Sequence, residues 1–300
     1  MRITTQMMYA QFNANLQITA DSLYKANEQI ATGKKLNRPS DDPAAVSGIT
    51  YEKAQLSTFA GYQDAISSAS LLLNATNSAL DNLHSLIVNA KQIGANATSP
   101  SPQDIATFAT MINNVINSTI GVANTKVGDK YIFSGYGTDQ PAVNTTTGTL
   151  TLTATNNLIS TQINTGVSVN VNVTAAGLIS SAAPLNNTTI IGAMNLLRNA
   201  ILASDQTGIQ NSLAALDTLS ASVLSSQSDI GVRQNRISLE KQYLASRDAD
   251  VTNSVSDKLM LSDVETAKMI TDVQQKQTSL QSLRSISSGF LQTSLFDFLK

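Results

Sequence analysis

The chain has 300 residues and a formal net charge of -2 at pH 7, and only 13% of its residues are charged, against about 25% in typical soluble proteins. This charge balance argues against nucleic acid as a partner and against a basic membrane-binding surface. The absence of cysteine excludes disulfides, thiolate metal ligands and a cysteine nucleophile. A surface so poor in charge is expected to lie against other protein.

The start of the chain shows no sequence typical of a secretory signal. The opening MRITTQMMYAQFNANLQ lacks the unbroken apolar run that such a signal needs, and no segment approaches about 18 consecutive apolar residues. We therefore expect no membrane insertion, and export, if it occurs, without a cleaved signal peptide.

The first predicted element is a long helix with one narrow apolar seam. Apolar or small residues recur every three or four positions, which is the spacing of one helix face. The seam consists of Met8, Phe12, Leu16, Thr19, Leu23, Ala26 and Ile30. A seam this narrow is typical of a coiled coil, so the helix is expected to pack against other helices.

The segment QIATGKKLNRPSDDPAAV, residues 29–46, predicts a corner. Gly33 stands where a left-handed residue would end the first helix. Asp42 followed by Pro43 has the form of an N-cap with proline at the first helical position. We expect an elbow from Gly33 to Asp42, and hypothesise that it flexes within limits set by Pro39 and Pro43.

Two further helices are predicted after the elbow. The second runs from Pro43 to about residue 97 and the third begins after TSPSPQD. Their apolar faces carry Ile66, Leu73, Leu80, Leu83 and Ile87 on the second helix and Ile105, Phe108, Ile112, Val115 and Val122 on the third. Both helices are long for a compact globule.

After KYIFSGYGTDQPAV the sequence period changes from helical to strand-like. The segment TLTLTAT alternates, as do Val167, Val169, Val171 and Val173 with the polar residues between them, so short half-buried strands are predicted. No charged residue occurs between Gln140 and Leu197. The strand edges therefore lack the lysines that commonly block edge pairing.

Helical spacing returns at Ile191 and predicts a second terminal seam. One very long helix is expected after Gly231 and reaches almost to the end of the chain. Its apolar residues lie seven apart: Ile237, Leu244 and Val251, then Val273 with Leu280, then Leu283 with Phe290. That spacing is typical of a coiled coil.

The predicted fold is mostly α: long N- and C-terminal helices form a rod-like bundle or coiled coil, and a small central β-rich domain is inserted. The division expected in chain order is 1–42 for an N-terminal assembly helix and elbow, 43–140 for the first half of a helical rod domain, 141–190 for the β-rich outer insert, 191–269 for the second half of the rod, and 270–300 for a C-terminal assembly helix.

The apparent ligand and catalytic motifs have simpler explanations. A P-loop fails because Glu28 stands at the first glycine position and Lys34 is followed by Lys35. Helix capping explains Asp41 and Asp42 better than a metal site. The single histidine, His84, lacks a serine elbow and is expected to be structural or solvated. No cofactor and no metal are expected.

The terminal seams can bury against each other or against other chains, because each is too narrow to be stable alone. Their position at both ends of the chain and the scarcity of charge beside them favour intermolecular packing. The candidate assembly interface consists of Met8, Phe12, Leu16, Leu23 and Ile30 at the N-terminal end and Val273, Leu280, Leu283, Phe290, Leu291, Phe296 and Phe298 at the C-terminal end.

Four segments together carry a family resemblance: MRITTQMMY, QIATGKKLNRPSDDPAA, KYIFSGYGTDQPAV and TSLFDFL. In this order and spacing they resemble the flagellar hook-associated protein 3 family, within the flagellin superfamily. The resemblance covers roughly residues 1 to 140 and 190 to 300 and leaves the insert unassigned.

The resemblance implies a structural subunit at the junction between hook and filament of the bacterial flagellum. Its terminal helices would assemble axially with further copies of the chain. Hook-associated protein 1 and flagellin would be its neighbours, and a flagellar export chaperone and the type III export apparatus would deliver it to the extracellular flagellum. Flagellin itself, the bulk filament subunit, is the nearest alternative, and an enzyme is a distant third.

Overall fold

The computed structural model describes residues 5–98, 104–151, 157–180 and 186–298. Long helices dominate this part of the chain, as the sequence predicts, and the only sheets among the described residues are two small hairpins. The helices are α1 (Thr5–Thr32), α2 (Pro43–Asn96), α3 (Asp104–Ala123), α4 (Ile190–Leu202), α5 (Gln206–Leu259) and α6 (Asp263–Phe298). The strands are β1 (Lys126–Val127), β2 (Lys130–Tyr131), β3 (Ser160–Asn164) and β4 (Val167–Asn170).

The chain divides into two compact units. Met1–Thr58 and Ser246–Lys300 form one, here called the corner unit, and Phe59–Ala245 forms the other, here called the core unit. The boundary falls within α2 and α5, so each unit contains part of both helices.

The core unit is built around one continuous apolar cluster. Helix α3 packs against α4, and the apolar face predicted for α2 is buried as expected, with Leu73, Leu80 and Leu83 fully inaccessible to solvent. Phe133, which follows the β1–β2 hairpin, lies in the same cluster. A core of this kind stabilises a domain mainly by removing apolar surface from water.

The predicted β insert is present, but it is less regular than the sequence pattern. β3 and β4 pair antiparallel around a turn in which Gly166 has a φ of 72°. Val171 and Val173 lie beyond the end of β4. Asn172, one of the polar residues that alternate with the valines, is buried, and its amide accepts a hydrogen bond from Ile159 N (2.7 Å) and donates one to the carbonyl of Asn157 (3.2 Å).

The single long helix expected after Gly231 was wrong in its start and in its continuity, although helix does reach almost to the end of the chain, at Phe298. Helix α5 begins at Gln206 and passes through Gly231, and the chain then breaks at residues 260–262 before α6. The seam spacing within α5 is as predicted, since Ile237, Leu244 and Val251 are all buried. Among the described residues no helix is both long and apolar enough to cross a membrane.

Candidate assembly site

The two terminal helices pack against each other within the corner unit. Helix α1 contacts α6. Their predicted seams carry the less exposed side chains: Phe12, Leu16, Leu23, Ile30 and Leu283 are half-buried, and Ala26, Val273 and Leu280 are buried. Part of each seam is therefore covered inside the chain. The half-buried remainder is apolar surface that a further helix can cover.

Five of the predicted interface side chains lie outside the described part. They are Met8, Phe290, Leu291, Phe296 and Phe298, all within helices α1 and α6. Their part in an interface stays a prediction.

A second set of apolar side chains on the terminal helices is exposed and was missed by the seam analysis. It consists of Met7, Ile18 and Tyr24 on α1 and Val264, Ile270 and Ile286 on α6. Met7 and Ile18 are eleven residues apart, and Val264 and Ile286 are twenty-two apart, so each pair returns to about the same helix face. Tyr24 and Ile270 lie on other faces of their helices, so no single spacing in the sequence identifies the whole set.

The first corner closes α1 with a left-handed glycine. Gly33 has a φ of 68° and its N–H donates to the carbonyl of Gln29 at 2.9 Å, as a helix C-cap does. The hydroxyl of Thr32 donates to Asn37 Oδ1 at 2.8 Å, and Gln29 Nε2 donates to the carbonyl of Lys35 at 2.7 Å. The end of the helix is thereby bonded to the loop that follows it.

The loop turns a second time at Pro39 before α2 begins. Arg38 and Asp41 close a turn with Pro39 at its second position, since Asp41 N donates to the carbonyl of Arg38 at 3.0 Å. Asp42 Oδ1 accepts the N–H of Ala45 at 2.9 Å, which is the bond of an N-cap. α2 then starts at Pro43.

Asp41 serves a different purpose from the capping role expected for it. Its Oδ2 accepts the backbone N–H groups of Arg38 (3.0 Å) and Asn37 (3.2 Å), and its Oδ1 pairs with Lys25 Nζ at 2.8 Å. The Lys25 ammonium and these N–H groups lower the pKa of Asp41. The carboxylate therefore ties the loop to α1 instead of capping a helix.

A second corner, between α5 and α6, lies beside the first. Ser262 and Glu265 form a reciprocal capping box: Glu265 N donates to Ser262 Oγ (3.3 Å), and Ser262 N donates to Glu265 Oε2 (3.0 Å). The spacing SDVE at 262–265 is the sequence signal of a helix start, and it lies among apolar residues that by themselves predict a continuous helix.

Backbone hydrogen bonds join the two corners. Lys35 N donates to the carbonyl of Leu259 at 2.8 Å, and Leu261 N donates to the carbonyl of Gly33 at 2.9 Å. The Lys35 ammonium adds contacts with the carbonyl of Asp257 and with Glu265 Oε1, each at 2.9 Å. We call this set of contacts the corner clamp. It favours a fixed corner over the flexible elbow suggested by the glycine and prolines alone.

The carboxylates with lowered pKa values are concentrated around the clamp. The N–H of Ser262, with the Lys35 ammonium and the Ser262 hydroxyl, lowers the pKa of Glu265 to about 2. Lys258 and the hydroxyl of Ser254 lower the pKa of Glu52. Each carboxylate is thus stabilised in its ionised form by the folded corner unit.

The residues of the apparent ligand motifs take part in contacts within the fold. His84 Nδ1 lies 3.2 Å from the Ser220 hydroxyl, and this contact joins α2 to α5 within the core unit. Across the described ranges, no group of three His, Asp or Glu side chains is placed to hold a metal ion. Lys35 belongs to the corner clamp, and Lys34 next to it pairs in a β-bridge with Met260.

Comparison with known proteins points to one class of protein. Residues 3–138 match the bacterial flagellin N-terminal helical region. The chain is 32% identical over 152 residues to flagellar hook-associated protein 3 of Salmonella typhimurium, covering 49% of this chain and 48% of the relative. It is 34% identical over 143 residues to flagellar hook-associated protein 3 of Escherichia coli, covering 46% of this chain and 45% of the relative.

The match therefore spans about half the length of these curated relatives. A solved structure extends the likeness at the level of the fold: flagellar hook-associated protein 3 of Legionella pneumophila aligns with a TM-score of 0.62 at 15% identity, covering 70% of this chain and 98% of that one. The fold described here is thus shared with a solved flagellar protein.

Proposed function

We propose that this chain, which is similar over residues 3–138 to the bacterial flagellin N-terminal helical region and over about half its length to flagellar hook-associated protein 3, is a structural subunit of the bacterial flagellum. In this role it forms the junction between the hook and the flagellin filament. The observation that carries the proposal is the 32% and 34% identity to two proteins named flagellar hook-associated protein 3.

The geometry of the corner unit supports axial assembly through the terminal helices. Helices α1 and α6 pack together, yet several large apolar side chains on both of them stay exposed, among them Ile18, Tyr24 and Val264. Exposed apolar side chains concentrated on two paired helices mark an interaction surface. Covering them with the same helices of neighbouring copies would remove this surface from water.

The partners follow from the proposed place in the flagellum. On the hook side the subunit contacts hook-associated protein 1, and on the filament side it contacts the first flagellin subunits. A flagellar export chaperone and the type III apparatus deliver it to the extracellular end of the hook. Immunogold labelling of sheared flagella tests this placement, with label expected at the hook boundary and a label spread along the filament speaking against it.

The decisive experiment is deletion of the gene in the native host. We expect hooks without filaments in electron micrographs, together with unpolymerised flagellin in the medium. Complementation with the wild-type gene should restore filaments. A strain that lacks flagellin is the matched control, because its hooks also carry no filaments but no flagellin appears in its medium.

The same experiment separates the alternatives. A filament subunit would also carry the flagellin N-terminal helical region, and in that case deletion would leave neither filaments nor soluble flagellin. Normal filaments after deletion would contradict a junction role altogether.

A further inference from the structure

The core unit contains a cavity that the terminal assembly site does not use. Its volume is about 360 Å³, which is within the range of small-molecule sites in proteins. One wall is α2 at Leu72 and Thr76, and a second is the segment 130–138, which begins with β2. The third wall is formed by Ile159, by β3 and by the two residues that follow β4.

Backbone hydrogen bonds hold the walls in place. Val171 N donates to the carbonyl of Ile159 at 2.9 Å, which closes the third wall. Ala175 N donates to the carbonyl of Phe133 at 2.9 Å, which ties the chain after β4 to the second wall. The cavity is therefore preformed, and a ligand would not have to order these segments, a cost that otherwise lowers affinity.

The inner part of the cavity is apolar. Ile132 is 5% exposed and Val171 2% exposed, and Leu72 and Ile159 pack against the same apolar cluster. A sugar would leave its hydroxyl groups unpaired against these aliphatic side chains, at a cost in free energy. The lining therefore favours the apolar part of a ligand over a sugar.

The mouth of the cavity is polar and positively charged. Lys130 and Tyr136 line it and are exposed, Tyr136 by 66%. The ammonium of Lys130 makes no ion pair or hydrogen bond within the described residues. The Lys126 ammonium lies 4.5 Å from the centre of the Tyr131 ring, which also belongs to the lining. A second positive charge thus adjoins the mouth.

These charges select the sign of the ligand. No Asp or Glu is among the described residues that line the cavity. Asp129 and Asp139, which flank the second wall, are exposed and do not line it. An anion facing Lys130 would gain a charge-assisted hydrogen bond, whereas a cation would meet a like charge and no counter-charge.

We propose that this cavity binds a small aromatic anion. The aromatic ring enters the apolar part, where Tyr131 and Tyr136 offer rings to pack against, and a carboxylate or sulfonate of the ligand pairs with Lys130. This site goes beyond the proposed function, because it lies within the core unit and needs neither the terminal helices nor a second copy of the chain.

The fluorescent dye anilinonaphthalene sulfonate has this chemistry and tests the site in the full-length protein. We expect one saturable high-affinity site per chain in a fluorescence titration. Thr161→Phe fills the cavity from β3 and should remove that site. Gln162→Phe is the matched control, because it adds the same ring at the next residue, which is exposed and does not line the cavity.

Circular dichroism should show that both variants keep the helix content of the wild type. Unchanged dye binding by a folded Thr161→Phe protein would overturn the proposal, because the dye would then bind elsewhere, for example on the terminal helices. Equal losses in Thr161→Phe and Gln162→Phe would overturn it as well.

A charge variant tests the role of Lys130. Lys130→Gln should weaken binding of the dye roughly two- to fivefold and leave binding of N-phenylnaphthylamine, an uncharged relative of the dye, unchanged. Lys53→Gln removes an exposed lysine of the corner unit and should affect neither ligand. Equal effects of Lys130→Gln on the two ligands, or none on either, would contradict a pairing of the anion with Lys130.

Competition tests the sign of the ligand without any change to the protein. Naphthylacetate and naphthylmethylamine share a ring system and carry opposite charges. Naphthylacetate should displace the dye at a severalfold lower concentration than naphthylmethylamine does. Equal displacement by the two compounds would overturn the assignment of an anion.

The outcome is independent of the deletion experiment. The titrations use purified protein, so the cavity can bind an aromatic anion even if deletion shows no junction role. A junction role can likewise stand if no dye binds, and in that case only the ligand site is lost.

Discussion

The corner unit and the core unit reach their folds by different means. The core unit contains the whole continuous apolar cluster, from Ile66 to Leu244. Among residues whose side chains are described, the corner unit buries only Ala26, Ile49, Val251, Val273 and Leu280 as apolar side chains. It relies instead on the corner clamp and on capping, whose exposed ion pairs contribute little to stability.

The two units therefore differ in what stabilises them. A large apolar core makes a domain stable by itself, whereas a narrow helix seam with polar corners fixes geometry at low local stability. We therefore expect the core unit to fold independently of assembly and the terminal helices to gain much of their stability from neighbouring copies. The following predictions test this contrast.

The largest expected effect is on assembly. Leu23→Asp places a carboxylate at a half-buried seam position of α1, where it resists burial against another helix. We expect loss of filaments and of swimming in soft agar. The thermal unfolding of the core unit, followed by circular dichroism, should be unchanged.

Asn27→Asp is the matched control, because it adds the same charge at an exposed position of the same helix. Swimming should persist in that variant. If Leu23→Asp lowered the stability of the core unit and assembly equally, the seam would be an ordinary core element and the contrast would fail.

The next effect is confined to the core unit. Phe133→Ala empties a fully buried aromatic site and should lower the free energy of unfolding by about 3 to 5 kcal/mol. Denaturant titration measures this loss. Tyr136→Ala, which removes an exposed aromatic side chain nearby, should change the free energy by less than about 0.5 kcal/mol, and similar losses in the two variants would argue against one dominant core.

A smaller effect is expected at the first corner. Gly33→Ala forces a side chain into a left-handed backbone with φ of 68°, which should destabilise the corner unit by about 1 to 2 kcal/mol. Gly48→Ala, in α2 with open space around its Cβ position, should instead stabilise the same unit by roughly 0.5 to 1 kcal/mol. Hydrogen exchange of α1 and α6 amides measures both. Equal protection in the two variants would mean that the corner geometry is not fixed.

The smallest effect is on pH dependence. Because folding lowers the pKa of Glu265 to about 2 from 4.5, its contribution to stability is complete above about pH 4.5 and is lost as the pH falls towards 2. In the wild-type protein, the resistance of α6 to proteolysis should therefore decrease as the pH falls from 5 to 3. Glu265→Gln should make this decrease smaller. Digestion with an acid-active protease measures it.

Asp250→Asn removes an exposed carboxylate without a hydrogen bond or ion pair among the described residues, and it should leave that acid profile unchanged. An identical profile for wild type and Glu265→Gln would contradict a stabilising role for Glu265 in the clamp.

The helices and their buried faces were predictable because periodicity is a local property. The α2 face from Ile66 to Ile87 and the α5 seam of Ile237, Leu244 and Val251 follow from spacing alone, since a helix places residues three, four or seven apart on one side. The end of α1 at Gly33 was predictable for the same reason, because a left-handed C-cap favours glycine.

What the sequence could not decide is which segments meet. The bonds of Lys35 with Leu259 and Glu265 join residues more than 200 positions apart, and no local pattern specifies such a pair. For the same reason, the burial of Asn172 and the exposure of Val232, Leu239 and Tyr243 depend on which faces other elements cover. Local spacing fixes where helices run, and tertiary packing alone decides which of their faces stay available for another molecule.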